Sequence, residues 1–123
     1  MDISLYYAER GEGQPLVLLH GNGESHRYFA GQIDFFAASR RVIAVDTRGH
    51  GASPRGTAPF TIAQFALDLE EFLDGLGLEQ VDLLGFSDGG NIAVTFALAH
   101  PARLRRLVLN GANLDPGAAK RTV

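Results

Sequence analysis

The sequence predicts an α/β fold: an open, mostly parallel sheet with flanking helices. Two observations carry that prediction. First, four short apolar runs recur along the chain: Leu16-Val17-Leu18-Leu19, Val42-Ile43-Ala44-Val45, Val81-Asp82-Leu83-Leu84 and Leu107-Val108-Leu109. Their apolarity is continuous rather than alternating, the pattern of strands buried on both faces. Second, helical patterns separate the runs, which gives the order β-α-β-α-β-α-β with right-handed crossovers.

Each element has its own signal. Residues Ile3–Ala8 predict a short antiparallel edge strand, joined to the first apolar run through the turn Gly11-Glu12-Gly13. Tyr28, Phe29, Ile33 and Phe36 form the apolar stripe of a first helix. A second, stronger stripe runs through Ile62, Phe65, Ala66, Leu69, Phe72, Leu73 and Leu76. Thr61 with Gln64 predicts a capping box at its start, and Phe60 with Phe65 a hydrophobic staple. Gly75 and Gly77 predict its end. The third helix runs from about Asp88 to Ala99 and stops before Pro101. No repeat, low-complexity segment or linker divides the chain, so residues 1–123 read as one domain with a small, polar, frayed tail.

Composition narrows the functional classes. At 123 residues the chain is long enough for one domain with a core. A net charge of −3 without a basic cluster argues against nucleic acid as a partner. The absence of cysteine rules out disulfides and thiolate metal sites; a cytoplasmic setting is expected. No apolar stretch approaches the ~20 residues needed to span a bilayer, and no secretory signal is visible at the start. No His/Asp/Glu cluster has metal-ligand spacing, and Gly21-Asn22-Gly23 fits neither a P-loop nor a dinucleotide fingerprint, so no metal and no cofactor are expected.

The chemistry is concentrated in Gly85-Phe86-Ser87-Asp88-Gly89-Gly90, between a predicted strand and a predicted helix. This is G-x-S-x-G in a strand–turn–helix setting, a nucleophile elbow. The sharp turn strains the central residue and lifts its hydroxyl above the sheet edge. The glycines on either side fit because strand and helix pass close together there. The first amides of the helix then point at whatever Ser87 attacks.

Together these features resemble the α/β-hydrolase family over nearly the whole chain. Pro15–Gly23 looks like that family's third strand and oxyanion loop. Val42–Ser53 (V-I-A-V-D-T-R-G-H-G-A-S) looks like its fourth strand and following loop, Leu83–Gly90 like its fifth strand and elbow, and Leu104–Gly111 like its sixth strand. The resemblance implies a truncated α/β-hydrolase fold ending after the sixth strand. The strands that usually carry the acid and the histidine are not in the sequence.

The resemblance also implies roles. Ser87 is the nucleophile, and the backbone amides of Asn22 and Asp88 form the oxyanion hole. A serine needs a base, yet only His100 follows Ser87, at the far end of the third helix, where it reads as a C-terminal cation. His50 is the surrogate base within the chain, with loop bracing as its competing role. Asp115, after the sixth strand, is the surrogate acid. His20 reads as a brace of the oxyanion loop, and His26 as facing solvent or starting the first helix. Asp46 and Arg48 are expected to pair with neighbouring loops, and Asp68, Glu70, Glu71 and Asp74 to form a solvated helix face.

The expected activity is hydrolysis of a small ester, thioester or similar acyl compound through an acyl-enzyme, with acid and base supplied from outside this chain or by surrogates. The competing expectation is a catalytically incomplete module that binds or self-assembles. A sixth strand left without its neighbour predicts either a homodimer through that edge or docking of a separate C-terminal half.

Overall fold

Strands with apolar residues at every position need cover on both faces, and the fold supplies it with helices. The computed structural model describes residues 2–110. The chain forms β1 (Tyr7–Arg10), β2 (Pro15–Leu19), a 3-10 turn (His26–Phe29), α1 (Ala30–Phe36), β3 (Arg41–Val45), α2 (Ile62–Gly75), β4 (Val81–Phe86), α3 (Asp88–Ala99), a second 3-10 turn (Pro101–Arg103) and β5 (Leu104–Asn110). The sheet order is β1-β3-β2-β4-β5. All neighbours are parallel except β1, which runs antiparallel to β3.

The two-residue period of the strands divides the core. Val17, Leu19, Ile43, Val45, Val81 and Leu83 face α2 and α3, where Leu69, Phe72, Leu73, Ile92 and Phe96 complete the larger cluster. Leu16, Leu18, Val42 and Ala44 face the other way and pack with Phe29, Ile33 and Phe36 of the first helical segment.

The ends of α2 follow from its sequence. The Thr61 hydroxyl accepts the Gln64 amide at 3.1 Å, and Phe60 meets Phe65 edge-on at 5.0 Å, the staple. The reciprocal half of the capping box is not made, because the Gln64 side chain donates forward to Asp68 instead. At the other end Gly77 has φ 71°. Its amide donates to Asp74, and the Leu78 amide to Leu73, a Schellman closure.

Three expectations change. The edge strand spans Tyr7–Arg10 rather than starting at Ile3. The Tyr6 amide donates to the Ser53 hydroxyl, which ends the ladder there. Asp68 is not on a solvated face but buried, because α2 turns it inward to meet Arg48. Leu107 and Val108 are exposed rather than covered, since β5 is the outer strand and pairs only with β4 among the described residues.

Candidate functional site

The connections place a crevice at one point of the sheet. From β2 the chain turns to β3 on one side; from β4 it turns through α3 to β5 on the other. Open α/β sheets bind ligands where neighbouring connections part in this way, outside the carboxyl ends of the strands. Ser87 is the single residue between β4 and α3, and the loop beginning at His20 leaves β2 beside it.

Ser87 has φ 55° and ψ −117°. It is the only residue other than glycine with positive φ among the described residues. Backbone held in so sparsely populated a region costs about 1–3 kcal/mol and persists where the surroundings enforce it. Here the glycines enforce it. A methyl group on Gly85 would strike the Gly89 and Gly90 backbone, and one on Gly89 would strike the carbonyl oxygens of Leu19 and His20. The first turn of α3 therefore sits directly on the end of β2. Ser87 is half-buried, and its hydroxyl makes no hydrogen bond to the described residues. The amides of Asp88 and Gly89, at the N-terminus of α3, have no acceptor among the described residues.

The loop after β2 closes the other side. Gly21 carries no side chain where a Cβ would lie 3.3 Å from that of Ser87. The Gly21 carbonyl accepts the Glu24 amide at 3.2 Å, closing a turn over Asn22 and Gly23, and Gly23 has φ 78°. Asn22 is exposed, and its amide has no acceptor among the described residues.

His20 is buried beneath this turn. Its ring lies 2.7 Å through Nδ1 from the Gly21 carbonyl and 3.1 Å through Nε2 from the Thr47 amide. A carbonyl only accepts and an amide only donates, so the partners assign a neutral ring with its proton on Nδ1. Burial lowers its basicity, reinforced by His50 and His26 and opposed by the Gly21 carbonyl and Asp46. Both ring nitrogens are thus committed to bracing.

His50 makes no hydrogen bond to Ser87. Its Nδ1–H donates to the Arg48 carbonyl at 3.0 Å and lies 3.1 Å from the Thr47 hydroxyl. The ring stacks on Phe60 and lies 5.1 Å from the His20 ring. The loop-bracing role is the one these contacts describe. His100 caps the far end of α3, 3.4 Å from Glu70. Asp115 lies outside the described residues.

Two carboxylates hold the loop after β3. Asp46 is buried and accepts the His26 amide at 2.6 Å, the His26 ring at 2.8 Å and the Ala52 amide at 2.9 Å. His26 does start the first helical turn, but its ring is paired with Asp46 rather than facing solvent. Burial pushes the Asp46 carboxyl up; the Ala52 and His26 amides and the His26 ring outweigh it and hold the group below its ordinary range.

Arg48 is fully buried, with all five guanidinium N–H groups used. It forms a fork with Asp68 at 2.9 and 2.8 Å, another with Asp2 at 2.9 and 2.7 Å, and donates to the Arg55 carbonyl at 3.0 Å. Asp68 and then Asp2 raise its already high pKa. Asp46 and Arg48 pair with neighbouring segments as the sequence predicts. Thr47, Ser53 and Asp2 were not identifiable as members of this network. The first two lie in the D-T-R-G-H-G-A-S segment; Asp2 carries no local signal. Among the described residues no three His, Cys, Asp or Glu side chains converge as metal ligands, and no helix is long and apolar enough to cross a membrane.

Comparison with known proteins agrees with this geometry. The family model described as alpha/beta hydrolase fold matches residues 14–122. The chain is 40% identical over 106 residues to 2-hydroxymuconate semialdehyde hydrolase of Pseudomonas putida, covering 84% of this chain and 38% of that protein. It is 35% identical over 119 residues to (E)-2-((N-methylformamido)methylene)succinate hydrolase of Acinetobacter baylyi, covering 96% of this chain and 45% of that one. Among solved structures, a thermophilic esterase from Thermogutta terrifontis superposes with a TM-score of 0.88 at 31% identity, over 97% of this chain and 45% of the esterase. The chain spans less than half the length of the relatives it matches.

Proposed function

Because the chain belongs to the α/β-hydrolase fold family, we propose that it carries the nucleophile half of a serine hydrolase acting on a small ester, thioester or related acyl compound. The observation that carries this reading is the strained, half-buried Ser87 beside unclaimed amides at the crevice between β2 and β4. The names of the relatives, two hydrolases and an esterase, fit the same class of reaction.

In this reading Ser87 Oγ attacks the substrate carbonyl carbon and its proton passes to a base. The carbonyl π electrons move onto oxygen, and the resulting oxyanion accepts the Asn22 and Asp88 N–H groups. Collapse expels the alcohol or thiol, protonated by the conjugate acid of the base. Water then attacks the acyl-Ser87 ester by the same route and releases the acid. Each oxyanion donor contributes on the order of 10²–10³-fold to such reactions.

His20 is committed, and His50 makes no hydrogen bond to Ser87. In this reading the base is supplied by polypeptide outside the described residues, laid against the open side of β5, where Leu107 and Val108 are exposed, with His50 the surrogate within the chain. Asp115 remains the proposed acid from this chain.

A second reading, a binding or self-assembling module without turnover, draws on the same free Ser87 hydroxyl. A fluorophosphonate probe separates the two. An adduct mapped to Ser87 by peptide mass spectrometry, and lost in Ser87→Ala, is expected. A folded sample that stays unlabelled even with added imidazole as an external base overturns the hydrolase reading in favour of the module.

A further inference from the structure

The loop that leaves β2 contains one peptide unit whose two ends have different tasks. Its carbonyl belongs to Gly21 and its N–H to Asn22. The structure contains no cis peptide bond among the described residues, so this N–H points opposite to its carbonyl in one plane. Whatever holds the carbonyl therefore aims the N–H. Two donors hold it: the Glu24 amide at 3.2 Å and the His20 Nδ1–H at 2.7 Å. The ring is held in turn through Nε2, which accepts the Thr47 amide at 3.1 Å, with the Thr47 hydroxyl 3.3 Å away. Gly21 lies directly beside Ser87, since a Cβ on it would be 3.3 Å from the Ser87 Cβ.

We infer that His20 is a positioning residue: its neutral ring, clamped between the Thr47 amide and the Gly21 carbonyl, aims the Asn22 N–H beside Ser87, and protonation of the ring releases the clamp. The step is a simple one. A proton taken up at Nε2 removes the lone pair that accepts the Thr47 amide and sets two N–H groups face to face. The ring must then shift away from Thr47, and the hold on the Gly21 carbonyl loosens with it. The inference rests on the reading of Asn22 as an oxyanion donor, but its geometry stands on the clamp alone.

The charges around the ring bear on when this happens. His50 on the loop after β3 and His26 at the first 3-10 turn oppose a positive charge on His20, whereas Asp46 at the end of β3 and the Gly21 carbonyl favour one. Burial opposes it most. The ring consequently stays neutral through neutral pH and takes up its proton only below the ordinary imidazole value of 6.5.

The test uses the 123-residue chain labelled with ¹⁵N and ¹³C. Long-range imidazole spectra at neutral pH are expected to show the His20 proton on Nδ1. On acidification the Gly21 carbonyl and the Asn22 and Thr47 amides are expected to shift together at the His20 midpoint. His20→Gln offers an amide donor and a carbonyl acceptor without titrating, and should abolish that common transition. Fluorophosphonate labelling of Ser87 should fall through the same midpoint in the unmodified chain and not in His20→Gln. His20→Ala should label on the order of 10²-fold more slowly, the loss expected for one misaimed oxyanion donor.

A proton on Nε2 at neutral pH overturns the inference. So does an Asn22 amide that ignores the His20 titration, or unchanged labelling in a folded His20→Ala. If His20→Ala does not fold, the acid titration and His20→Gln decide. If Ser87 is never labelled in any variant even with added imidazole as an external base, the hydrolase reading fails, and the spectra still decide the clamp.

Discussion

Ser87 and its neighbours show how much of the site is set by single residues. A glycine at position 87 relieves a backbone conformation that serine adopts only under constraint. Ser87→Gly is expected to raise stability by about 1 kcal/mol, or about 4 °C in Tm for a chain of this size, while abolishing fluorophosphonate labelling. Thermal unfolding of the two proteins checks it; an unchanged or lower Tm argues against strain. Acid sensitivity is likewise a matter of single residues, two of which lie beside the site. The Asp46 carboxyl has a lowered pKa in the fold: burial alone would raise it, but its amide donors and the His26 ring outweigh that. Its contribution is thus complete above the ordinary value of 3.8 and lost as pH falls through the lower folded value. The His20 ring is also lowered, chiefly by burial. A neutral histidine is the reverse case to a paired one: stability is complete above 6.5 and drains as pH drops from there toward the folded value. Urea midpoints from pH 8 to pH 3 should therefore decline in two stages. His20→Gln should remove the earlier stage and leave the later one.

At the level of elements, the contact between α3 and β2 depends on the absence of a side chain at Gly89. Gly89→Ala is expected to cost about 1–3 kcal/mol, because the added methyl meets the Leu19 and His20 carbonyls rather than a side chain that could swing away. Denaturant unfolding measures it, and a neutral result would show that α3 can lift without consequence. The helices and strands were legible in the sequence because their causes are local. Phe60 and Thr61 mark the start of α2 and Gly77 its end, each lying within two residues of the helix. The G-F-S-D-G-G segment showed its elbow for the same reason. Asp68 was not legible. Asp68, Glu70, Glu71 and Asp74 read together as an acidic, solvated face of the helix, and only the position of Arg48, 20 residues earlier, turns Asp68 inward. The link from Thr47 to His20 is equally remote in sequence, at a separation of 27 residues. Contacts between segments that no periodicity connects are what a reading along the chain leaves out. Asp68→Ala, which strips Arg48 of one fork, is expected to destabilise by about 3–5 kcal/mol. Chemical unfolding measures it, and a loss below about 1 kcal/mol argues against the fork.

The whole molecule has a finished side and an open one. β1 closes the sheet beyond β3 as a short antiparallel strand, and its flank carries the ion pairs Arg10–Asp34 and Arg41–Glu9. β5 has no second neighbour among the described residues, and it exposes Leu107 and Val108 to opposite faces. The isolated chain is expected to associate as its concentration rises, and Val108→Lys to reduce that association. Size-exclusion with light scattering reads the result against a monomer of 13.2 kDa; a monomer at every concentration argues against an adhesive edge. The buried guanidinium of Arg48 has a quieter implication for anyone handling this protein. Two of its five donors reach across 46 residues to the carboxylate of Asp2. Asp2, itself exposed, accordingly acts as a latch that ties its segment to an interior cation. A protease that clipped after Asp2, or a tag scar that displaced it, would leave an interior cation half-stripped of its counter-charge, and damage done at the second residue would be felt at the helix that Asp68 anchors.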